Sequence, residues 1–184
     1  MKILISGGGI GGLTAALCFI RFGAEVTVLE KALELGEVGA GIQIPPNAMK
    51  VFAALGLDAA LTEPAFKPQA IEARMGRSGL ELFQIPLTKH AVNRWGAPYL
   101  HIHRADYISV LAKALRAESS DGLILGAEII GYTQTGDAVE VQLADGRRIS
   151  GDALIGADGI HSPVREQMLG AEKPTFTGNV AWRA

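Results

Sequence analysis

Six residues near the N-terminus, Gly7-Gly8-Gly9-Ile10-Gly11-Gly12, restrict the fold more than any other part of the chain. They satisfy the spacing G-x-G-x-x-G, in which each glycine has its own physical reason. Gly7 permits a tight turn out of a strand, Gly9 lets the backbone approach a pyrophosphate closely, and Gly12 lets a helix pack against the sheet. The helix start that follows offers N–H groups and a partial positive charge to phosphates. Glycines at this spacing can also do no more than make a tight turn, so the flanks decide. Ile3-Leu4-Ile5 is a short apolar run of the kind a buried parallel strand shows. Leu13, Ala16, Leu17 and Ile20 then recur at helical spacing, and Gly23 closes the pattern. Val26-Thr27-Val28-Leu29 supplies a second strand. Strand, glycine turn, helix and strand fit within thirty residues, as a dinucleotide-binding βαβ unit requires.

Glu30 ends the second strand, 18 residues after Gly12. A carboxylate there accepts hydrogen bonds from the ribose hydroxyls of an adenosine and repels a 2′-phosphate, which argues against NADP as the tightly held ligand. The alternative is a solvated surface carboxylate beside Lys31. On these residues alone, NAD and FAD both remain open.

The remainder of the chain reads as follows. Gly36 to Ile44 is a second glycine-rich stretch, and Asn47, after Pro45-Pro46, is placed to N-cap a helix from Ala48 to Leu55. Residues 69–85 read as strand, turn at Arg77-Ser78-Gly79, and strand. This breaks the α/β alternation and predicts an excursion into a second domain, with too few strands to stand alone. Asp106 to Ala117 is predicted helical, with Tyr107, Leu111, Ala114 and Leu115 on one face. Short strands follow: Val139, Val141 and Leu143 alternate with polar residues, and Asp145-Gly146 turns the chain toward Ile149. A last buried strand, Ala153 to Gly156, runs into Ala157-Asp158-Gly159, and Ser162 N-caps a helix that starts at Pro163. The chain stops at Ala181-Trp182-Arg183-Ala184 without a capping or polar tail signal, so it is expected to end in mid-domain.

Composition removes several function classes. An apolar fraction of 48% with 20% charged residues describes an ordinary globular protein, and a net charge of −2 without a basic run points to neither nucleic acid nor an anionic membrane. Cys18 is the single cysteine, so no intramolecular disulfide can form and a reducing compartment is expected. Glycines interrupt the apolar N-terminus, which therefore does not read as a signal peptide, and no run is apolar enough to span a bilayer. A cytoplasmic protein is expected. His101 and His103 would face one way on a strand, but no third ligand has a clear spacing to them, and no metal is expected. Cys18, Trp95 and Trp182 read as packing residues. Catalytic residues of the Ser/His/Asp or Cys/His kind are absent.

The segment Gly151-Asp152-Ala153-Leu154-Ile155-Gly156-Ala157-Asp158-Gly159-Ile160-His161-Ser162-Pro163-Val164-Arg165 closely resembles the Asp-Gly motif of the FAD-dependent aromatic hydroxylases, such as salicylate and hydroxybenzoate hydroxylases. The first glycine motif, Gly39-Ala40-Gly41-Ile42-Gln43-Ile44-Pro45-Pro46-Asn47-Ala48 and His103-Arg104-Ala105-Asp106 resemble the same group, in the same order. The resemblance implies an α/β fold, a Rossmann-like FAD-binding domain of the glutathione-reductase type with an incomplete β-rich substrate domain. It implies boundaries at 1–68 and 99–170 for the FAD domain, and at 69–98 and 171–184 for the partial substrate domain. It selects FAD as the tightly bound cofactor, with NAD(P)H as transient electron donor. The implied reaction is hydroxylation of a small aromatic compound with O2, in which the cofactor carries the hard chemistry. Cofactor contacts are implied for Gly7, Gly9, Ile10, Gly11, Gly12, Glu30, Lys31, Gly41, Arg104, Asp158 and Gly159, with backbone groups near Ile129 facing the adenine. His161, in the Asp-Gly loop, is a further candidate for the nicotinamide. In this family a second Gly-Asp motif and much of the substrate sheet follow the point where the sequence stops. The expectation is therefore an N-terminal portion that holds FAD weakly or not at all by itself. Another flavin-dependent reductase of the same fold, and a portion without activity, are the competing readings.

Overall fold

The computed structural model describes residues 1–36 and 40–180; Gly39, Trp182 and the rest of the last four residues lie outside the described residues. The chain begins with strand β1 (Lys2–Ser6), helix α1 (Ile10–Arg21) and strand β2 (Glu25–Glu30). These three are the elements that the N-terminal pattern predicts. Strand β3 (Gly41–Ile44) and helices α2 (Pro46–Ala54) and α3 (Asp58–Thr62) follow. Strands β4 (Ala70–Arg74) and β5 (Glu81–Pro86) precede helix α4 (Thr88–Trp95). Strand β6 (Leu100–His103) leads directly into helix α5 (Arg104–Glu118). Four strands come next, β7 (Leu123–Leu125), β8 (Ile129–Thr135), β9 (Ala138–Leu143) and β10 (Arg148–Gly151). The described part closes with strand β11 (Ala153–Gly156) and helix α6 (Pro163–Leu169).

A four-stranded parallel sheet in the order β11-β1-β2-β7 forms the centre. Side chains alternate across a strand, so β1 feeds two layers. Ile3 and Ile5 join Val26 and Val28 in a core with α1 and α5, which contributes Tyr107, Leu111 and Leu115. Leu4 and Leu29 point the other way, into a smaller core with Ile129, Val141 and Leu143 of the antiparallel sheet β10-β9-β8. Helices, parallel sheet and antiparallel sheet are thus stacked, with β1 buried on both sides. This is the Rossmann-like layering that the sequence predicts.

Two smaller pairs complete the structure. Strands β3 and β6 pair antiparallel, Gly41 with His103 and Ile44 with Leu100. Strands β4 and β5 form the predicted hairpin, which joins no other strand among the described residues.

Three local details differ from the sequence reading. Asn47 is not the N-cap of α2; Pro45 is, and Pro46 occupies the first turn. Proline suits that place because its missing N–H would have no partner there anyway. Helix α5 starts at Arg104, two residues earlier than predicted, directly from the strand. The sequence reading does not include helices α3 and α4; they are short and bury only Leu61 and Ala91 respectively, so no apolar run marks them.

Candidate functional site

The glycine loop sits where β1 meets α1. Gly7 has φ +105°, and a Cβ there would collide with the carbonyl of Ala157 in the neighbouring strand turn. A Cβ at Gly12 would overlap the Gly7 carbonyl oxygen, so this glycine sets how closely helix and loop approach. Gly9 and Gly11 are different, since a Cβ at either meets nothing within 4 Å. The loop is therefore tight on its inner side and open at Gly9. No side chain caps α1, and no acidic residue stands in its first turn, which leaves the N–H groups of that turn to an outside acceptor.

Glu30 is fixed by backbone donors. Its Oε2 accepts from the Gly8 N–H at 2.5 Å and its Oε1 from the Ala32 N–H at 2.8 Å. The carbonyl of Glu30 in turn accepts from the Ala127 N–H at 2.8 Å, which brings the segment before β8 alongside. On the other side of the loop, Asp158 Oδ2 accepts from the buried Ser6 hydroxyl at 3.1 Å, joining β1 to the turn after β11. Ser162 N-caps α6 as predicted, its hydroxyl accepting from the Arg165 N–H at 2.9 Å. Arg104 opens α5 with a buried Nε, and its backbone N–H donates to Ala40 O at 3.0 Å.

Ser6, Glu30, Arg104, Ala127 and Asp158 line one open cleft of about 480 Å³. Of the residues singled out in the sequence, Gly7, Gly9, Glu30, Lys31, Arg104, Ile129, Asp158 and Gly159 border it. Ile10, Gly11, Gly12 and Gly41 do not: the first three continue into α1, and Gly41 lies on the β3–β6 ribbon. His161 borders the cleft as well. Two contributors escaped the sequence reading. Ser6 reads as the last residue of an apolar strand, and its tie to Asp158 spans 152 residues. Gly8 occupies a free position of the motif, yet a Cβ there would lie 2.9 Å from Glu30 Cβ.

The histidines of β6 behave differently from each other. His103 is exposed, while His101 buries its Nε2 and lies 5.8 Å from the Tyr99 ring. Among the described residues, no group of three or more His, Cys, Asp or Glu side chains is placed to hold a metal ion. No helix among them is long and apolar enough to cross a membrane.

Comparison with known proteins gives this cleft a context. The chain is 39% identical over 183 residues to 3-hydroxybenzoate 6-hydroxylase 1 of Aquipseudomonas alcaligenes, covering 100% of this chain and 46% of that protein. It is 37% identical over 184 residues to 6-hydroxynicotinate 3-monooxygenase of Bordetella bronchiseptica, covering 100% and 47%. The chain spans about half the length of these curated relatives. Among solved structures, Klebsiella pneumoniae HpxO complexed with FAD and uric acid superposes with a TM-score of 0.76 at 30% identity, over 91% of this chain and 42% of that one. The family model for the FAD binding domain matches residues 1–184, and the chain belongs to that family.

Proposed function

We propose that the cleft binds FAD and that the chain forms the FAD-binding half of a monooxygenase that hydroxylates a small aromatic compound, of the hydroxybenzoate kind, with NAD(P)H and O2. The observation that carries this reading is the convergence of the open glycine loop, Glu30, Arg104 and the Asp158 turn on one cleft. The residues fit the cofactor. An uncapped helix start beside a loop open at Gly9 suits a pyrophosphate. A carboxylate has about four acceptor positions, so Glu30 can serve both backbone donors and still accept from ribose hydroxyls.

In this reading Gly7, Gly9, Ile10, Gly11 and Gly12 shape the pyrophosphate turn, and Glu30 with Lys31 holds the adenosine ribose. Backbone groups near Ile129 meet the adenine. Arg104 offers a planar, permanently charged guanidinium from the start of α5. Asp158 and Gly159 form the opposite wall, and Gly41 contributes from the ribbon beyond Arg104. Bound FAD would supply the electron transfer and oxygen activation; the protein binds, orients and excludes water. Residues 1–68 and 99–170 are assigned to the cofactor domain, and 69–98 with 171–184 to the substrate domain. The separateness of the β4–β5 hairpin from the central sheet supports that division. The single cysteine fits a reducing cytoplasm.

Titration with FAD, followed by quenching of flavin fluorescence, tests the reading on the chain and on the product of its full reading frame. The larger product is expected to bind one FAD and to couple NAD(P)H oxidation to oxygen uptake when a hydroxybenzoate is added. FAD bound by neither protein, or NAD held in its place, overturns it.

A further inference from the structure

The cleft wall assigned above to the adenosine is a short stretch of backbone. Ala127, Glu128, Ile129 and Ile130 all border the cleft. The start of the stretch is anchored twice: the Ala127 N–H donates to Glu30 O at 2.8 Å, and Glu128 O accepts from the Ala144 N–H at 2.9 Å. Further along, the strand pairing slips. Ile129 pairs with Leu143 and Gly131 with Gln142, so Ile130 is an extra residue without a partner on β9. A bulge of this kind bends its strand and re-aims the side chains around it. Ile129 is buried, whereas Ile130 is 55% exposed beside the cleft.

A bulge breaks the hydrogen-bond ladder locally, and β8 is an outer strand of its sheet with one backbone edge unpaired. Gln167 of α6 covers that edge. Its Nε2 donates to Tyr132 O at 2.6 Å, and its Oε1 accepts from the Tyr132 N–H at 3.0 Å. One amide side chain, being both donor and acceptor, thus satisfies both backbone groups of one residue. The approach is close: a Cβ at Gly131 would lie 3.4 Å from Gln167 Oε1.

The same helix is tied to the opposite wall of the cleft. The Val164 N–H donates to Asp158 Oδ2 at 3.5 Å. Val164 is buried against Gly156, where a Cβ would lie 3.2 Å from its Cγ1. Val164 and Gln167 are three residues apart, about 4.5 Å along the helix axis. Gln167 does not itself border the cleft. Helix α6 is therefore a strut of one turn between the Asp158 turn and β8.

We propose that Gln167 is a positioning residue of the cofactor site. Its amide clamps β8 just beyond the bulge and so fixes the backbone of Ile129 and Ile130 where the adenosine half of FAD is read. The inference rests on the FAD reading above and deepens it, by naming the side chain that sets the shape of one wall from outside the cleft.

FAD titration of the product of the full reading frame, with ADP as a competitor that carries only the adenosine half, tests this. Gln167→Met keeps the chain length but neither hydrogen bond, and it should weaken FAD and ADP by the same factor, about tenfold. Gln167→Asn keeps the amide but withdraws it by one methylene, and it should lose as much. Exchange of the Tyr132 N–H should quicken in both variants before any ligand is added, and thermal unfolding checks that both are folded. FAD and ADP that bind the variants as they bind the wild type overturn the proposal, whatever the change in stability, because Gln167 then only docks α6. A loss for FAD without a loss for ADP also overturns it, since the defect then lies away from the adenosine wall. So does ADP that fails to compete in a wild type that binds FAD. Absence of FAD binding in the wild type is a different result and refutes the reading beneath.

Discussion

Glu30 Oε2 accepts a hydrogen bond of 2.5 Å from the backbone N–H of Gly8, tying the end of β2 to the glycine loop 22 residues earlier. The carboxylate is therefore part of the loop's structure before any ligand arrives. Glu30→Ala removes the acceptor from Gly8 and from Ala32 together. It should lower stability by about 1–3 kcal/mol, because the N–H of buried Gly8 and that of exposed Ala32 both lose a charged partner. FAD affinity should fall by about tenfold or more, beyond what Glu30→Gln costs, since the amide keeps one acceptor. Urea denaturation and flavin fluorescence titration measure the two effects separately.

Gly9 and Gly12 belong to one motif but should fail in opposite ways. A Cβ at Gly9 meets nothing of the protein, and its φ of −73° suits any residue. Gly9→Ala should cost at most about 1 kcal/mol of stability, the usual loss for alanine at a helix N-cap, while closing the space that a pyrophosphate needs. Gly12→Ala drives a methyl group into the Gly7 carbonyl, and backbone must move to admit it. A loss of about 2–3 kcal/mol is expected, with poor folding before any question of binding arises. Thermal unfolding of the two variants, with and without FAD, distinguishes these outcomes.

Ser6 and Asp158 come from opposite ends of the chain and meet beneath the cleft at 3.1 Å. Ser6→Ala leaves Asp158 Oδ2 with one weak donor, the Val164 N–H at 3.5 Å. The expected cost is about 1 kcal/mol in stability, together with a severalfold loss of FAD affinity as the Asp158 turn loosens. Hydrogen exchange at residues 158–164 should rise in the variant while exchange in β1 stays slow.

Much of this was legible in the residues, for a physical reason. The βαβ unit is short and its signals are local: apolar alternation, glycine placement and helical spacing all act within thirty residues. Ser162 was readable because a cap and a first-turn proline are neighbours in sequence. The Ser6–Asp158 bond was not, since nothing local to Ser6 marks it as the partner of a residue 152 positions away. Gly8 was invisible for a related reason: its constraint comes from the Glu30 side chain, not from its own backbone. Helix α4 is short and polar overall, with Ala91 its one buried residue, so no apolar run marked it as an element. Gly41 was placed among the cofactor residues by motif, and it stands on the ribbon outside the cleft.

Tyr107 provides a pH test of the helix layer. Its ring packs edge-on against Phe52 at 5.5 Å, and burial pushes its phenol from 10.0 up to about 12. The neutral form is favoured in the folded state, so the unfolded chain releases this proton first as pH rises. Stability from this group is complete below pH 10 and is lost between pH 10 and about 12. Urea midpoints measured across that window should fall in the wild type. Tyr107→Phe keeps the ring against Phe52 and removes the ionisable group, so its midpoints should fall less steeply over the same range. Equal slopes in both proteins would mean that the phenol is solvated in the folded state, and that α5 sits less tightly on α2 than the ring geometry indicates.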